Sequence, residues 1–294
     1  MLQRLLYLVL LVSTGNVWAY EASHHQYLTF LAARQFNHCV GEEAAPRLTP
    51  LEVRYMARAN VSLAETNFFV RMFRWNYYEP EAQSEKSMLW LFQTRFHRNF
   101  NELVVRLDQP ADPVDAYRDF GRLLGYVQMV SAPAHAVPVY TGRFWRFSLS
   151  DRFDSYPIDE TALEDLLEDD CSFLESPFRT YAEVLSAAAT ATIASVSEPI
   201  PGLPTTWRAF WKPSRKAGEF GEYGDAGNNF GRRTEFRCGG SSNGERSRQR
   251  CVLLADDPLY AEFALQRHAD AVRSSLQALF IMQTRTRPRF TEPD

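Results

Sequence analysis

The chain carries six histidines: His24, His25, His38, His97, His135 and His268. Imidazole exchanges a proton near neutral pH and is the commonest metal ligand, so hydrolytic chemistry would start at these positions. Two settings stand out. Ser23-His24-His25 opens a stretch of helical pattern, and Ala132-Pro133-Ala134-His135-Ala136 follows an amphipathic one. HExxH, GxSxG, GxxxxGK[ST] and GxGxxG motifs are absent in any usable context. The chemistry left open is a metal held by ligands dispersed along the chain, and the sequence does not separate His24 from His25 as a ligand. The plain structural reading stands beside it: His135 as a hydrogen-bonded core residue at a helix end, His25 as a half-exposed helical residue.

A second kind of chemistry is anion binding. Arg232 to Arg250 holds six arginines against Glu235 and Glu245. A solvated loop is the favoured reading over a phosphate-facing surface. Gly224-Asp225-Ala226-Gly227-Asn228-Asn229-Phe230-Gly231 is rich in residues that tolerate positive φ. A tight turn is favoured there over an anion-binding nest of backbone donors. Trp207, Phe210 and Trp211, just upstream, are read as roofing a cleft or touching an interface.

The elements that must position these residues are helices. Ser23 is expected to cap a first helix carrying Leu28, Leu31, Ala32 and Phe36. Thr49-Pro50-Leu51-Glu52 has the form of a capping box with Pro at the first helical position, its helix running to about Asn60. Over 84–108, Met88, Phe92, Phe96, Phe100, Leu103 and Leu107 recur at helical spacing. Asp112-Pro113 starts another helix, to about Val130. Residues 160–174 and 178–196 read as helices, and Asp257-Pro258 opens a long last one through Leu265, Ala269, Val272, Leu276 and Leu279. Residues 199–256 are Gly- and Pro-rich and read as an irregular insertion with short strands. The expected fold is therefore all-α, a single helical domain of seven or so helices over residues 20–294, with a disulfide-pinned insertion.

Residues 1–19 read as a signal peptide. Arg4 precedes an apolar run from Leu5 to Val12 that is too short to span a bilayer, and Val17-Trp18-Ala19 precedes a cleavage point at Tyr20, the alternative being cleavage before Trp18. No other run is long enough to span, so the mature chain is expected to be secreted or periplasmic. Four cysteines suit that compartment. Cys238 and Cys251 flank a polar, turn-rich stretch and pair as a pinned hairpin, which leaves Cys39 with Cys171. The spacing lacks the CxxC of a zinc cluster or redox dithiol. With 32 Lys+Arg against 36 Asp+Glu, the charge of −4 implies no basic face for duplex nucleic acid.

Several of these stretches, in order, resemble one family. Trp18 is followed by His25-Gln26-Tyr27-Leu28-Thr29. Ala64-Glu65-Thr66-Asn67 precedes Arg74-Trp75-Asn76-Tyr77-Tyr78-Glu79-Pro80. Gly125-Tyr126-Val127-Gln128-Met129-Val130-Ser131-Ala132-Pro133-Ala134-His135 is similar to HxxxDxxxPxH, and Ser150-Asp151-Arg152-Phe153-Asp154 to HxxWD. The order resembles the zinc-dependent phospholipase C and single-strand-specific nuclease superfamily, across about half the chain. The resemblance implies a secreted all-α fold, a multi-zinc centre and hydrolysis of phosphoesters, with a phospholipid headgroup or another phosphoester as the partner. It places Trp18, His25, His135 and Asp154 as metal ligands, and Glu65 as a completing ligand or base beside Asp154.

The departures bear on the chemistry. The family's His is Asn76 in the second motif, Gly125 in the third and Ser150 in the fourth, and its bridging Asp is Met129. A thioether is a poor zinc ligand and Gly offers none. The resemblance then implies fewer zinc ions than the family's three, down to a single ion at His135 and Asp154 or none. Two functions follow: an exported phosphoester hydrolase with a reduced metal site, or a non-catalytic member of the same fold that binds or supports. Asp151, Glu79 and Asp225 are carboxylates able to stand in for lost ligands.

Overall fold

A computed structural model describes residues 22–41, 45–64, 77–78, 87–88, 92–93, 96–109, 112–137, 139, 151–214, 221–239 and 249–285. The expected signal peptide with Trp18, and Glu65, Asn76, Glu79 and Ser150, lie outside the described residues. The described part is mostly helical. Its α-helices are α1 (Ala22–Cys39), α2 (Pro50–Ala64), α3 (Phe96–Asp108), α4 (Pro113–Met129), the single turn α5 (Pro133–Ala136), α6 (Glu160–Leu167), α7 (Tyr181–Val196) and α8 (Pro258–Arg285).

Local chemistry accounts for several boundaries. The Thr49 backbone N–H donates to Glu52 Oε2 at 2.7 Å and the Glu52 N–H to Thr49 Oγ1 at 3.4 Å, closing the capping box at α2. Asp112 caps α4 by accepting from the Val114 N–H at 2.7 Å, with Pro113 at the first position. Thr180 and Glu183 form a second capping box at α7. Ser23 lies inside the first turn of α1 rather than capping it, because the helix already includes Ala22. The stretch 160–174 splits into α6 and a 3-10 turn at Ser172–Glu175.

The helix expected over 84–108 begins only at Phe96. Before it, β1 (Ser87–Met88) and β2 (Phe92–Gln93) pair antiparallel, with Met88 opposite Phe92. A four-residue apolar spacing serves equally for successive helical turns and for facing positions across a short hairpin. Sequence periodicity alone does not distinguish them.

Both expected disulfides are present, Cys39–Cys171 and Cys238–Cys251. The insertion holds β3 (Trp211–Lys212) with β4 (Glu222–Tyr223), and β5 (Thr234–Arg237) with β6 (Arg250–Leu253), both antiparallel. The turn at 224–231 is a turn, with Gly227 and Gly231 at φ 66° and 70°. Trp207, Phe210 and Trp211 roof no cleft. They are buried with Phe230 against Phe263 of α8. Five aromatic residues so close together gain more from mutual burial than from exposure to solvent.

α4 and α8 form the middle of the bundle. α4 packs on α2, α3, α7 and α8, and α8 packs on α1, α4, α6 and α7. The α2–α4 crossing is close because Gly121 faces the Met56 backbone, where any Cβ would overlap the Met56 carbonyl. No described helix is long and apolar enough to cross a membrane.

Candidate functional site

His25 sits on the inward face of α1 and is 1% exposed, not half exposed as its sequence setting suggests. Its Nδ1 lies 2.8 Å from Gln128 Oε1 on α4. An amide oxygen only accepts, so Nδ1 carries the proton and Nε2 the lone pair. The same Oε1 accepts from Asn60 Nδ2 of α2 at 2.8 Å. Gln128 Nε2 donates to Thr29 Oγ1 of α1 at 3.3 Å and to Ser275 Oγ of α8 at 3.2 Å. Asn60 Nδ2 also reaches Thr29 Oγ1 at 2.9 Å, and Thr29 donates onward to the His25 carbonyl at 2.8 Å. One amide thus joins four helices through a neutral, buried network. Burial drives the His25 pKa down to about 4, with the Gln128 bond opposing and His24 adding to the fall.

This network occupies the neighbourhood of the third family-like motif. At Gly125 a Cβ would stand 2.7 Å from both Asn60 Oδ1 and Leu63 Cδ2. A larger side chain there is incompatible with Asn60 where the network holds it. Met129 is buried in the apolar core.

The second half of the site comes from α5 and the 3-10 turn Phe153–Ser155. Pro133 opens α5, and the His135 carbonyl accepts from the Tyr78 N–H at 2.8 Å. His135 Nε2 and Asp154 Oδ2 are 3.7 Å apart, both residues buried. Beside them lies Asp151, also buried. It accepts from Trp211 Nε1 and Tyr223 Oη at 2.8 Å each and from the Phe153 N–H at 2.9 Å. Burial, and then the neighbouring Asp154 charge, push the Asp151 carboxyl above its usual range despite these three donors. Asp225 is exposed in its turn and takes no part.

His24, the alternative ligand to His25 in the sequence, and His268, which the sequence left unassigned, complete the cluster. His24 and His268 have ring centroids 6.0 Å apart, and the His268 ring lies 5.7 Å from that of Phe153. Burial lowers His268 to about 3. Its sequence signal was available, since position 268 continues the apolar stripe of α8 three residues after Leu265. His25, His135 and Asp154 are thus brought into one region, with His24, Asp151 and His268 alongside.

A catalytic zinc takes three protein ligands and a tetrahedral arrangement. Among the described residues no three His, Cys, Asp or Glu side chains are grouped to hold a metal ion. A groove of about 420 Å³ adjoins the Asp151–Asp154 turn, lined among others by Arg152, Tyr156, Phe230, Leu265 and His268. Arg152 Nε there is buried and has no hydrogen-bond acceptor among the described residues. Asp151 and Asp154 thus point inward while Arg152 fronts the groove. Set against family models, curated proteins and solved structures, the chain matches none.

Proposed function

We propose that this chain is an exported, non-catalytic binding protein built on a phospholipase C/nuclease-like helical frame. The observation that carries the reading is the network around Gln128. It joins His25, Thr29, Asn60 and Ser275 at the position where the resemblance expects metal ligands. A buried polar network of this kind specifies one packing arrangement of the helices, although Asn60 Oδ1 has no hydrogen-bond partner among the described residues. It also engages the His25 ring on the side where Gln128 lies. The lost ligands at Gly125 and Met129 support the same reading, because nothing at either position replaces them.

The reading is tested on protein purified without chelator, by elemental analysis and by release of phosphocholine or nucleotide with zinc supplied. The expected result is no stoichiometric zinc and no turnover. Stoichiometric zinc that is lost in His135→Ala, together with turnover, would overturn it.

A phosphoester hydrolase is the second reading. His135 and Asp154, 3.7 Å apart and buried, favour it. Two donors fall short of the three protein ligands a catalytic zinc needs, so this reading requires at least one further ligand, with Trp18, His25, Glu65 and Asp151 as the candidates.

A further inference from the structure

We infer that the outer groove between α2 and α4 is a binding site for phosphate esters. The cavity measures about 480 Å³ and is lined by Leu51, Arg54, Tyr55, Arg58, Arg118 and Arg122, among others. Arg54 and Arg58 stand one helical turn apart on α2, as Arg118 and Arg122 do on α4. Like charges at that spacing are unfavourable within each helix. The close α2–α4 approach at Gly121 then sets the two pairs facing one groove, in a chain whose net charge is −4.

Two of the four guanidiniums are already oriented. Arg118 Nη1 is 3.0 Å from Asp115 Oδ1, and its guanidinium stands 5.5 Å over the Tyr55 ring. Arg122 Nη1 is 2.7 Å from Asp119 Oδ1, and Asp119 also holds Arg106 at 2.9 Å. Arg54 and Arg58 form no ion pair among the described residues. No carboxylate is among the described lining residues; Asp115 and Asp119, which pair with Arg118 and Arg122, are engaged, and Glu52 is held by the α2 cap. A guanidinium fork matches phosphate oxygens two at a time, and several forks around one tetrahedral dianion supply more charge-assisted bonds than a carboxylate can accept. The volume lies within the range of small-ligand sites and exceeds what bare phosphate fills. Leu51, 58% exposed, and the Tyr55 ring offer apolar contact for the organic part of an ester. The site goes beyond the reading of the buried core and does not depend on it.

The test has two arms, because the ester could be soluble or part of a lipid. One titrates glycerol 3-phosphate calorimetrically at low salt. The other measures cosedimentation with phosphatidylcholine vesicles with and without phosphatidic acid. Saturable, salt-sensitive binding in either arm is expected, and the responding arm identifies the source. Arg54→Gln/Arg58→Gln should weaken it about tenfold or more, from the loss of charge-assisted bonds. Arg54→Lys/Arg58→Lys should weaken it by a smaller factor, since charge stays and the fork is lost. Arg250→Gln, whose partner is Glu235 on β5, should leave it unchanged. Absence of binding in both arms, or equal binding by the wild-type chain and the Gln double variant at matched melting temperature, would overturn the inference. It would do so even if zinc analysis of the core came out as expected.

Discussion

Replacing Gln128 by Leu tests whether the buried network holds the helices together. The substitution keeps the approximate volume and removes one acceptor and two donated bonds. Gln128 Oε1 accepts from His25 Nδ1 and Asn60 Nδ2, each at 2.8 Å. Those two donors lose an acceptor inside the core. Asn60 retains its bond to Thr29 at 2.9 Å, and Ser275 still donates to the Ala271 carbonyl at 2.7 Å. An orphaned buried donor costs roughly 1–3 kcal/mol, so the two together cost about 2–6 kcal/mol. The extra apolar burial of Leu returns roughly 1 kcal/mol of that. Urea unfolding at neutral pH reads the difference as a lower midpoint at unchanged slope. Asn60→Leu in the Gln128→Leu background should cost clearly less than the sum of the two single changes, since one orphan disappears with it. A loss below about 1 kcal/mol for Gln128→Leu, or strict additivity of the pair, would refute the reasoning.

Acid should destabilise the chain in a defined window. His25 and His268 sit at about 4 and 3 against an ordinary 6.5, so the folded state binds fewer protons than the unfolded one as pH falls below 6.5. Their stabilisation is complete above pH 6.5 and is lost at about 1.4 kcal/mol per pH unit per histidine on acidification. Asp151 acts with the opposite sign, because its folded pKa is raised and its protonation on acidification favours the folded state. Asp151→Asn should therefore steepen the fall in thermal stability between pH 6 and 4, and a shallower fall would count against the assignment. Gly121→Ala should destabilise more than Gly125→Ala, since the first meets the Met56 backbone and the second meets side-chain ends; overpacking costs about 1–3 kcal/mol or more, and calorimetry ranks them. Replacing Cys39 and Cys171 together by Ala should cost about 5 kcal/mol, against about 3 kcal/mol for the Cys238–Cys251 pair, on chain entropy alone. The order follows from closed segments of 132 and 13 residues, and equal losses in urea unfolding would sink it.

The helical frame was legible because caps and stripes agree. Thr49 with Glu52, Asp112 with Pro113 and the stripe of α8 each set a boundary that packing then kept. Both disulfide pairs were legible from compartment and loop composition. The hairpin at Met88 and Phe92 was not, since its facing positions share the spacing of a helix. His25, His135 and Asp154 were legible as a group, whereas Asn60 and Gln128 were not. Neutral amides carry no titratable signature, and Gln128 lies inside a run that reads as core. The four arginines of the α2–α4 groove fall in two pairs far apart in sequence, so only the helix crossing brings them together. Trp207, Phe210 and Trp211 were read as roofing a cleft or touching an interface, yet they join Phe263 in the interior.

The placement of α8 governs when this chain can fold during its synthesis. Residues 258–285 pack on α1, α4, α6 and α7 and complete the aromatic cluster of the insertion through Tyr260 and Phe263. Until that segment has emerged, the faces of α1, α4, α6 and α7 that it covers lie open, while α1 to α4 already pack on one another. Ser275, the α8 partner of Gln128, is missing for the same interval. Completion of the fold therefore waits for residues 258–285, and until then the nascent protein exposes the apolar faces that segment covers. A truncation before residue 258 would leave those apolar faces without their cover and make the product aggregation-prone.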